Sequence, residues 1–275
     1  MWRTIHDKNI DIPKYRVSCK RSGTHSFESP QVASSFGGEI NDHCGWIVDL
    51  NNFDIEVMFL INDQDVRICI TLTKESLHRR NIVNFGRTTL KPTIAYGMLW
   101  HCKIQPGDVV CDPLCGSGSI LIEALASMNS SVVIGGEIDY RLILKTLDNY
   151  KSFLEDAEIA REKKWAHFDI FNWDACHIPL KNSSVDVIVS DLPFGKRVGS
   201  HTSNMKLYPG VFNELSRIAQ VSSGRACLLT KDKRSLIKSM NMFKAYWKRG
   251  PTMSINIGGL SACVYVLYRT ATTFS

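Results

Sequence analysis

The residues best suited to chemistry are Asp191-Leu192-Pro193-Phe194, which end the apolar run Val185-Asp-Val-Ile-Val-Ser190. A run rich in β-branched residues reads as a buried parallel strand, and ligands gather at the carboxyl edge of such sheets. A carboxylate, a proline and an aromatic ring at that edge form a receptor for a flat base with an exocyclic amine. Such an amine is a poor nucleophile because its lone pair is delocalised into the ring. Asp191 and a main-chain carbonyl, that of Leu192 or Pro193, can accept its two N–H hydrogens and localise the pair. Phe194 can stack on the base, a contact worth roughly 1–3 kcal/mol. In-line placement alone supplies about 7–11 kcal/mol of a barrier, so alignment outweighs proton transfer here. The proton then leaves to Asp191 or to water. A helix-capping role for Asp191 is disfavoured by Pro193, which holds its neighbour away from helical geometry.

A second constellation is Asp112-Pro-Leu-Cys115-Gly116-Ser-Gly118-Ser119, which follows one apolar run and opens another. Glycines let the backbone approach a ligand, and a helix N-terminus offers unpaired N–H groups. A dinucleotide fingerprint would need glycine at position 121, which is Leu121, and an acid where the pyrophosphate would lie is unfavourable. The pattern suits a cationic ligand instead, namely the amino-acid end of S-adenosyl-L-methionine. The next run ends in Gly135-Gly-Glu137-Ile-Asp139, and an acid there accepts from both ribose hydroxyls. Glu137, the first acid after the glycines, is favoured over Asp139. Asp174 and the Ala175 backbone are placed to meet an adenine edge. Singly, each acid reads as a cap or surface group; the ordered series at successive strand ends carries the assignment.

Charge adds a third element. From Lys196 to Arg249 there are twelve Lys and Arg against Glu214 and Asp232, and from Lys74 to Lys91 five against Glu75 alone. Two such blocks favour a polyanionic partner. Lys196 and Arg197, just past the acceptor corner, are expected to hold phosphates, with His78, Arg79 and Arg80 as a second basic group. Asn204 and Tyr208 are further candidates for the same pocket. Nine cysteines without a C-x-x-C pair argue against zinc and for reduced thiols in a cytosolic or nuclear protein; no metal site is expected. No apolar run reaches 18 residues, so no membrane span is expected, and Met1-Trp-Arg-Thr-Ile-His lacks a secretory core.

The elements that must position these residues divide the chain. Residues 1–76 read as a small α+β module: a strand at Tyr15–Lys20, a helix from Ser29 that stops near Gly38, and a hairpin across Asn62–Asp65. Residues 77–92 read as a polar connector. Residues 93–275 alternate strand and helix, which predicts an α/β, Rossmann-like, doubly wound sheet made mixed by a terminal antiparallel hairpin around Gly258-Gly259. In this reading 168–170 is a polar approach, the long helix spans 142–162, and later helices cover 211–218 and 234–242.

Taken together, Thr88-Thr-Leu-Lys-Pro-Thr93, Asp112 to Gly118 and Ser190 to Arg197 resemble the class I N-methyltransferases, and more narrowly the THUMP-domain guanosine-N2 methyltransferases of tRNA. Leu77-His-Arg-Arg-Asn81 and Val198-Gly199 resemble the eukaryotic type. The resemblance implies N2-methylguanosine formation in the acceptor-stem region of tRNA. It makes residues 15–80 the later part of a THUMP domain, an RNA-binding module, and implies a further ferredoxin-like segment ahead of it, so the chain reads as a fragment or shortened form. It also implies that Thr89, Leu90 and Pro92 close over the cofactor's methionine end, and that a small zinc-binding activator subunit docks on the sheet. Two other readings stand beside it: an amino-methyltransferase on another structured RNA, at guanosine N2 or adenine N6, and an inert RNA-binding scaffold.

Overall fold

The computed structural model describes residues 12–73, 76–86, 88–128, 132–155, 167–195 and 201–274. The chain forms two compact units, one ending at Ser76 and the other beginning at Leu77.

The first unit is a four-stranded sheet with one helix. Its elements are β1 (Lys14–Arg21), α1 (Ser29–Cys44), β2 (Ile47–Val48), β3 (Ile55–Ile61) and β4 (Val66–Ile70). The order is β2-β1-β3-β4, with β4 antiparallel to β3. Val57, Phe59 and Ile61 alternate toward α1 and meet Val32, Phe36 and Ile40. The helix runs through Gly37-Gly38, where its end was expected. Gly37 is buried, a Cβ there would touch only Val17 at 3.8 Å, and Tyr15 Oη donates to its carbonyl. Packing thus overrides glycine's weak helix propensity. The helix instead ends at Gly45, left-handed at φ 65°, whose N–H returns to the Asn41 carbonyl.

The second unit holds α2 (Pro92–His101), β5 (Val109–Asp112), α3 (Ser119–Ser127), β6 (Val132–Glu137), α4 (Tyr140–Leu154), β7 (His167–Asn172) and β8 (Val187–Asp191). It continues with α5 (His201–Ile218), β9 (Arg225–Thr230), α6 (Lys233–Met242), β10 (Trp247–Ile257) and β11 (Leu260–Arg269). The sheet order is β10-β11-β9-β8-β5-β6-β7, parallel except where β11 pairs antiparallel with both neighbours. From β5 the chain winds outward through β6 and β7, then returns to β8 on the other side. The crevice at this switch point lies beyond the carboxyl ends of β5 and β8. Val187 to Ser190 have no exposed surface, which explains the uninterrupted apolar run.

Several expected boundaries shift. The 168–170 stretch is strand β7, whose polar side chains are tolerated because it is a sheet edge. Helix α5 starts ten residues before Val211 and contains Pro209, which reads as a breaker in isolation. Its stripe of Tyr208, Val211, Phe212, Leu215 and Ile218 is wholly buried and outweighs the lost bond. Strand β10 begins at Trp247 rather than Met253, its register slipping between Arg249 and Thr252. Residues 156–162, expected as the end of the long helix, lie outside the described residues. The stretch 77–92 is no free connector: Leu77–Arg79 form a 3-10 turn, Ile82 and Leu90 enter the core of the second unit, and Pro92 opens α2.

Candidate active site

Strand β5 ends at Asp112, 1% exposed, whose Oδ1 accepts from Ser190 Oγ at 2.8 Å and Leu114 N at 3.1 Å. Burial pushes its pKa up to about 7 against the pull of those two bonds, and the Glu137 charge adds to the rise. The turn that follows needs left-handed backbone at Gly116 (φ 56°) and Gly118 (φ 82°). A Cβ on Gly118 would strike Thr146 at 2.5 Å, whereas one on Gly116 meets nothing within 4 Å. One glycine therefore admits helix α4, and the other leaves the crevice open beside Asp112.

At the tip of β6 the two candidate acids separate. Glu137 accepts from Gly116 N at 3.1 Å and Asp139 N at 3.0 Å, so its carboxylate lies against the glycine turn. Asp139 caps α4 through Arg141 N at 3.0 Å and pairs with the Arg141 guanidinium at 2.8 Å. Gly136 is required by close approach, since a Cβ would fall 1.7 Å from Trp173. The Trp173 indole donates to the Pro113 carbonyl at 3.1 Å, tying the segment after β7 to the turn. Asp174 is exposed and held below the usual carboxylate range, chiefly by the Cys176 N–H; Ala175 beside it is buried. Ile138, next to Glu137, keeps 66% of its surface exposed.

At the acceptor corner, Asp191 ends β8 with partial exposure, but its Oδ1 is enclosed and without a hydrogen-bond partner among the described residues. Burial pushes its pKa up to about 8, and the Asp112 charge contributes. Leu192 is buried and donates its N–H to the Leu229 carbonyl at 2.9 Å. The Pro193 carbonyl accepts from Asn204 Nδ2 at 2.8 Å and Tyr208 Oη at 2.7 Å, which fills both its lone pairs. Of the two carbonyls left open by the sequence, Pro193 is therefore already engaged, and Leu192 becomes the better partner for Asp191. Asn204 and Tyr208 serve the corner by holding its backbone. Phe194 is half-buried against the core.

Thr89 Oγ1 lies 2.8 Å from Ser117 Oγ, and the Leu90 carbonyl accepts from Ser119 Oγ at 2.7 Å, so both flank the glycine turn. Leu90 and Pro92 are buried, Leu90 within the core of this unit. Among the basic candidates, Arg80 is a correction. Its guanidinium pairs with buried Glu123, Nε to Oε2 at 3.1 Å, and sits over the Tyr96 ring, so the fold itself answers its charge. His78 is half-buried; the Arg79 side chain, Lys196 and Arg197 lie outside the described residues. The first unit offers a different cationic feature, a cleft of about 180 Å³ lined by Lys20, Arg21 and Arg67 with Ser22 and Asn62. Among the described residues no three His, Cys, Asp or Glu converge as metal ligands.

Residues 79–262 match the model of the RMKL-like methyltransferase domain, and residues 1–71 match that of the THUMP domain. A Mus musculus protein, tRNA (guanine(6)-N(2))-methyltransferase THUMP3, is 43% identical over 96% of this chain and 53% of its own length. A Homo sapiens protein, U6 snRNA (guanine-N(2))-methyltransferase THUMPD2, is 31% identical over 79% of this chain and 41% of its own. The chain spans about half the length of the curated relatives it matches. In fold it is similar to the crystal structure of TrmN from Thermus thermophilus, at TM-score 0.65 and 24% identity, over 94% of this chain and 73% of that one.

Proposed function

The chain belongs to the RMKL-like methyltransferase family, and from that premise we propose that it transfers a methyl group from S-adenosyl-L-methionine to the N2 amine of a guanosine in the acceptor-stem region of tRNA. The observation that carries the reading is the enclosed, unpartnered Asp191 Oδ1 one switch point away from the buried Asp112 carboxylate. One acid awaits a donor, and the other is a buried anion beside an open glycine turn. When bound, the cofactor supplies a sulfonium-borne methyl group as the electrophile.

The residues present fit that group. Asp112 offers negative charge to an ammonium, Glu137 offers a carboxylate for ribose hydroxyls, and Asp174 with Ala175 borders an adenine site. Asp191 and the Leu192 carbonyl accept the two hydrogens of the target amine, while Phe194 covers one face of the base. Asp191, with its raised pKa, can also receive the proton that the amine loses. The THUMP unit supplies the RNA grip. Its cleft with Lys20, Arg21 and Arg67 is a concavity of the right sign for phosphates. Lys196 and Arg197 are further phosphate-binding candidates by their place in the sequence.

The 31% identity to the U6 snRNA enzyme supports a second reading in which the same corner takes a guanosine of another structured RNA. Nucleoside mass spectrometry after incubation with labelled cofactor and either tRNA or U6 RNA decides between them. Label in N2-methylguanosine from tRNA supports the first; label in N6-methyladenosine overturns both. A small zinc-binding activator subunit is proposed as a partner docking on the methyltransferase sheet, whose edge strands among the described residues are β7 and β10. Co-expression with that subunit is expected to raise solubility and turnover together.

A further inference from the structure

Helix α4 carries a buried asparagine that the chemistry above does not use. Asn149 has no exposed surface, and all four hydrogen-bonding positions of its amide are filled. Its Oδ1 accepts from Val83 N at 3.0 Å and Asn84 N at 2.6 Å; its Nδ2 donates to the Asn84 carbonyl at 3.0 Å and the Ser117 carbonyl at 2.9 Å. Ser117 lies between the two left-handed glycines. One side chain therefore ties residues 83–84 to the glycine turn. Thr146, one turn earlier on the same face, donates to the Gly116 carbonyl at 3.0 Å, and Lys145 Nζ reaches the Phe85 carbonyl at 3.0 Å. Farther along, Gly86 N donates to Thr89 Oγ1 at 2.6 Å, and that oxygen meets Ser117 Oγ.

We propose that Asn149 is a positioning residue for the cofactor: it straps residues 83–86 onto the glycine turn, so a side chain that never touches the cofactor sets the affinity for it. The inference rests on the reading of the turn as the cofactor site. Neither the strap nor the turn has regular secondary structure of its own to fix it; the α4 side chains hold one against the other. Loss of the amide would free the Val83 and Asn84 N–H groups and the Ser117 carbonyl at once, which loosens the turn before any ligand arrives.

The test uses the full chain with Asn149→Asp, Asn149→Ala and Lys145→Met. Asn149→Asp keeps the size and the acceptor but turns both donors into repulsion; Lys145→Met removes only the bond to Phe85. Hydrogen exchange of the 83–86 amides in the unliganded protein and calorimetric titration with S-adenosylhomocysteine are the readouts, with turnover measured at saturating cofactor. In the Asn149 variants exchange is expected to quicken and the dissociation constant to rise about tenfold, the scale of one or two lost buried bonds, while turnover at saturation stays within about twofold. Lys145→Met moves the same two readouts in the same direction by less, and decides the matter if the Asn149 variants do not fold. Unchanged exchange and affinity, or turnover lost at unchanged affinity, overturns the proposal. Failure of the parent protein to bind S-adenosylhomocysteine would instead overturn the cofactor assignment.

Discussion

The two sides of the switch point treat their carboxylates in opposite ways. On the glycine-turn side each strand-end acid is already answered. Ser190 and Leu114 bond Asp112, Gly116 and Asp139 N–H groups bond Glu137, and Cys176 N bonds Asp174. At the acceptor corner the backbone is held, the Pro193 carbonyl by two donors, but the carboxylate is not: among the described residues Asp191 Oδ1 is enclosed and unpartnered. A buried acceptor without a donor costs roughly 1–3 kcal/mol, and active sites are where such costs persist. The difference separates a surface finished without a ligand from one that, on the proposed function, the substrate would complete.

Asp191→Ala should therefore give the largest effect. Removal of a charge-bearing acceptor aimed at the reacting group is expected to lower turnover by about a thousandfold or more. Affinity for S-adenosylhomocysteine should change little, because the site proposed for that ligand is on the other side. Comparable losses in both measurements would merge the two sides and end the distinction.

Asp112→Asn should do the reverse, weakening cofactor affinity by about ten- to a hundredfold, the worth of a charge-assisted contact. Turnover at saturating cofactor should fall less. Isothermal titration against steady-state kinetics on one preparation resolves the split. Tyr208→Phe probes the held backbone of the corner, since it deletes the donor to the Pro193 carbonyl and a partner of Thr230 Oγ1. Turnover should drop about tenfold, the order of one buried hydrogen bond, with the Michaelis constant for cofactor unmoved.

How much of this was legible beforehand follows the same division. Strand-end acids and the glycine turn announce themselves because they are short, local patterns: Asp112 and Gly118 lie within one strand-to-helix turn. The parts that were missed are long-range. Arg80 reads as one of a basic run, yet its partner Glu123 lies on α3 and is almost wholly buried. The Pro193 carbonyl looked free because its donors sit on a helix whose Pro209 hid its true start. Asn149 had a signal that went unread. It occupies the buried stripe of α4 with Ile143, Thr146 and Phe153, where a polar side chain is retained only if its bonds are met. Strand β7 was overlooked since an edge strand need not be apolar. The fold class survived all of this because the β–α rhythm depends on core patterning and not on individual contacts.

The effect most diagnostic of the contrast is on pH. Burial raises both Asp112, to about 7, and Asp191, to about 8; the Glu137 charge adds to the rise at Asp112 and the Asp112 charge to that at Asp191, so both titrate near neutrality. In the proposed mechanism Asp191 is ionised when it accepts an amine hydrogen, so kcat/KM should rise with pH through about 7 to 8 and fall up to tenfold per unit below that range. On the proposed assignment a cationic cofactor would hold Asp112 ionised, which should carry the profile of kcat measured at saturation away from that of kcat/KM. In Asp112→Asn the repulsion disappears, and the Asp191 limb should move to lower pH. The sign for stability is the opposite of the usual paired carboxylate. Both folded pKa values exceed the ordinary value of 3.8, so the folded chain holds its protons more tightly than the unfolded one. This contribution is most favourable below about 4 and is lost progressively as pH rises toward about 8. Asp191→Asn should thus raise the unfolding temperature of the ligand-free protein at pH 8 and leave it nearly unchanged at pH 4, read by thermal denaturation. A variant destabilised equally at both would mean that Asp191 has a partner in the folded chain after all, and the unfinished side of the crevice would be no different from the finished one.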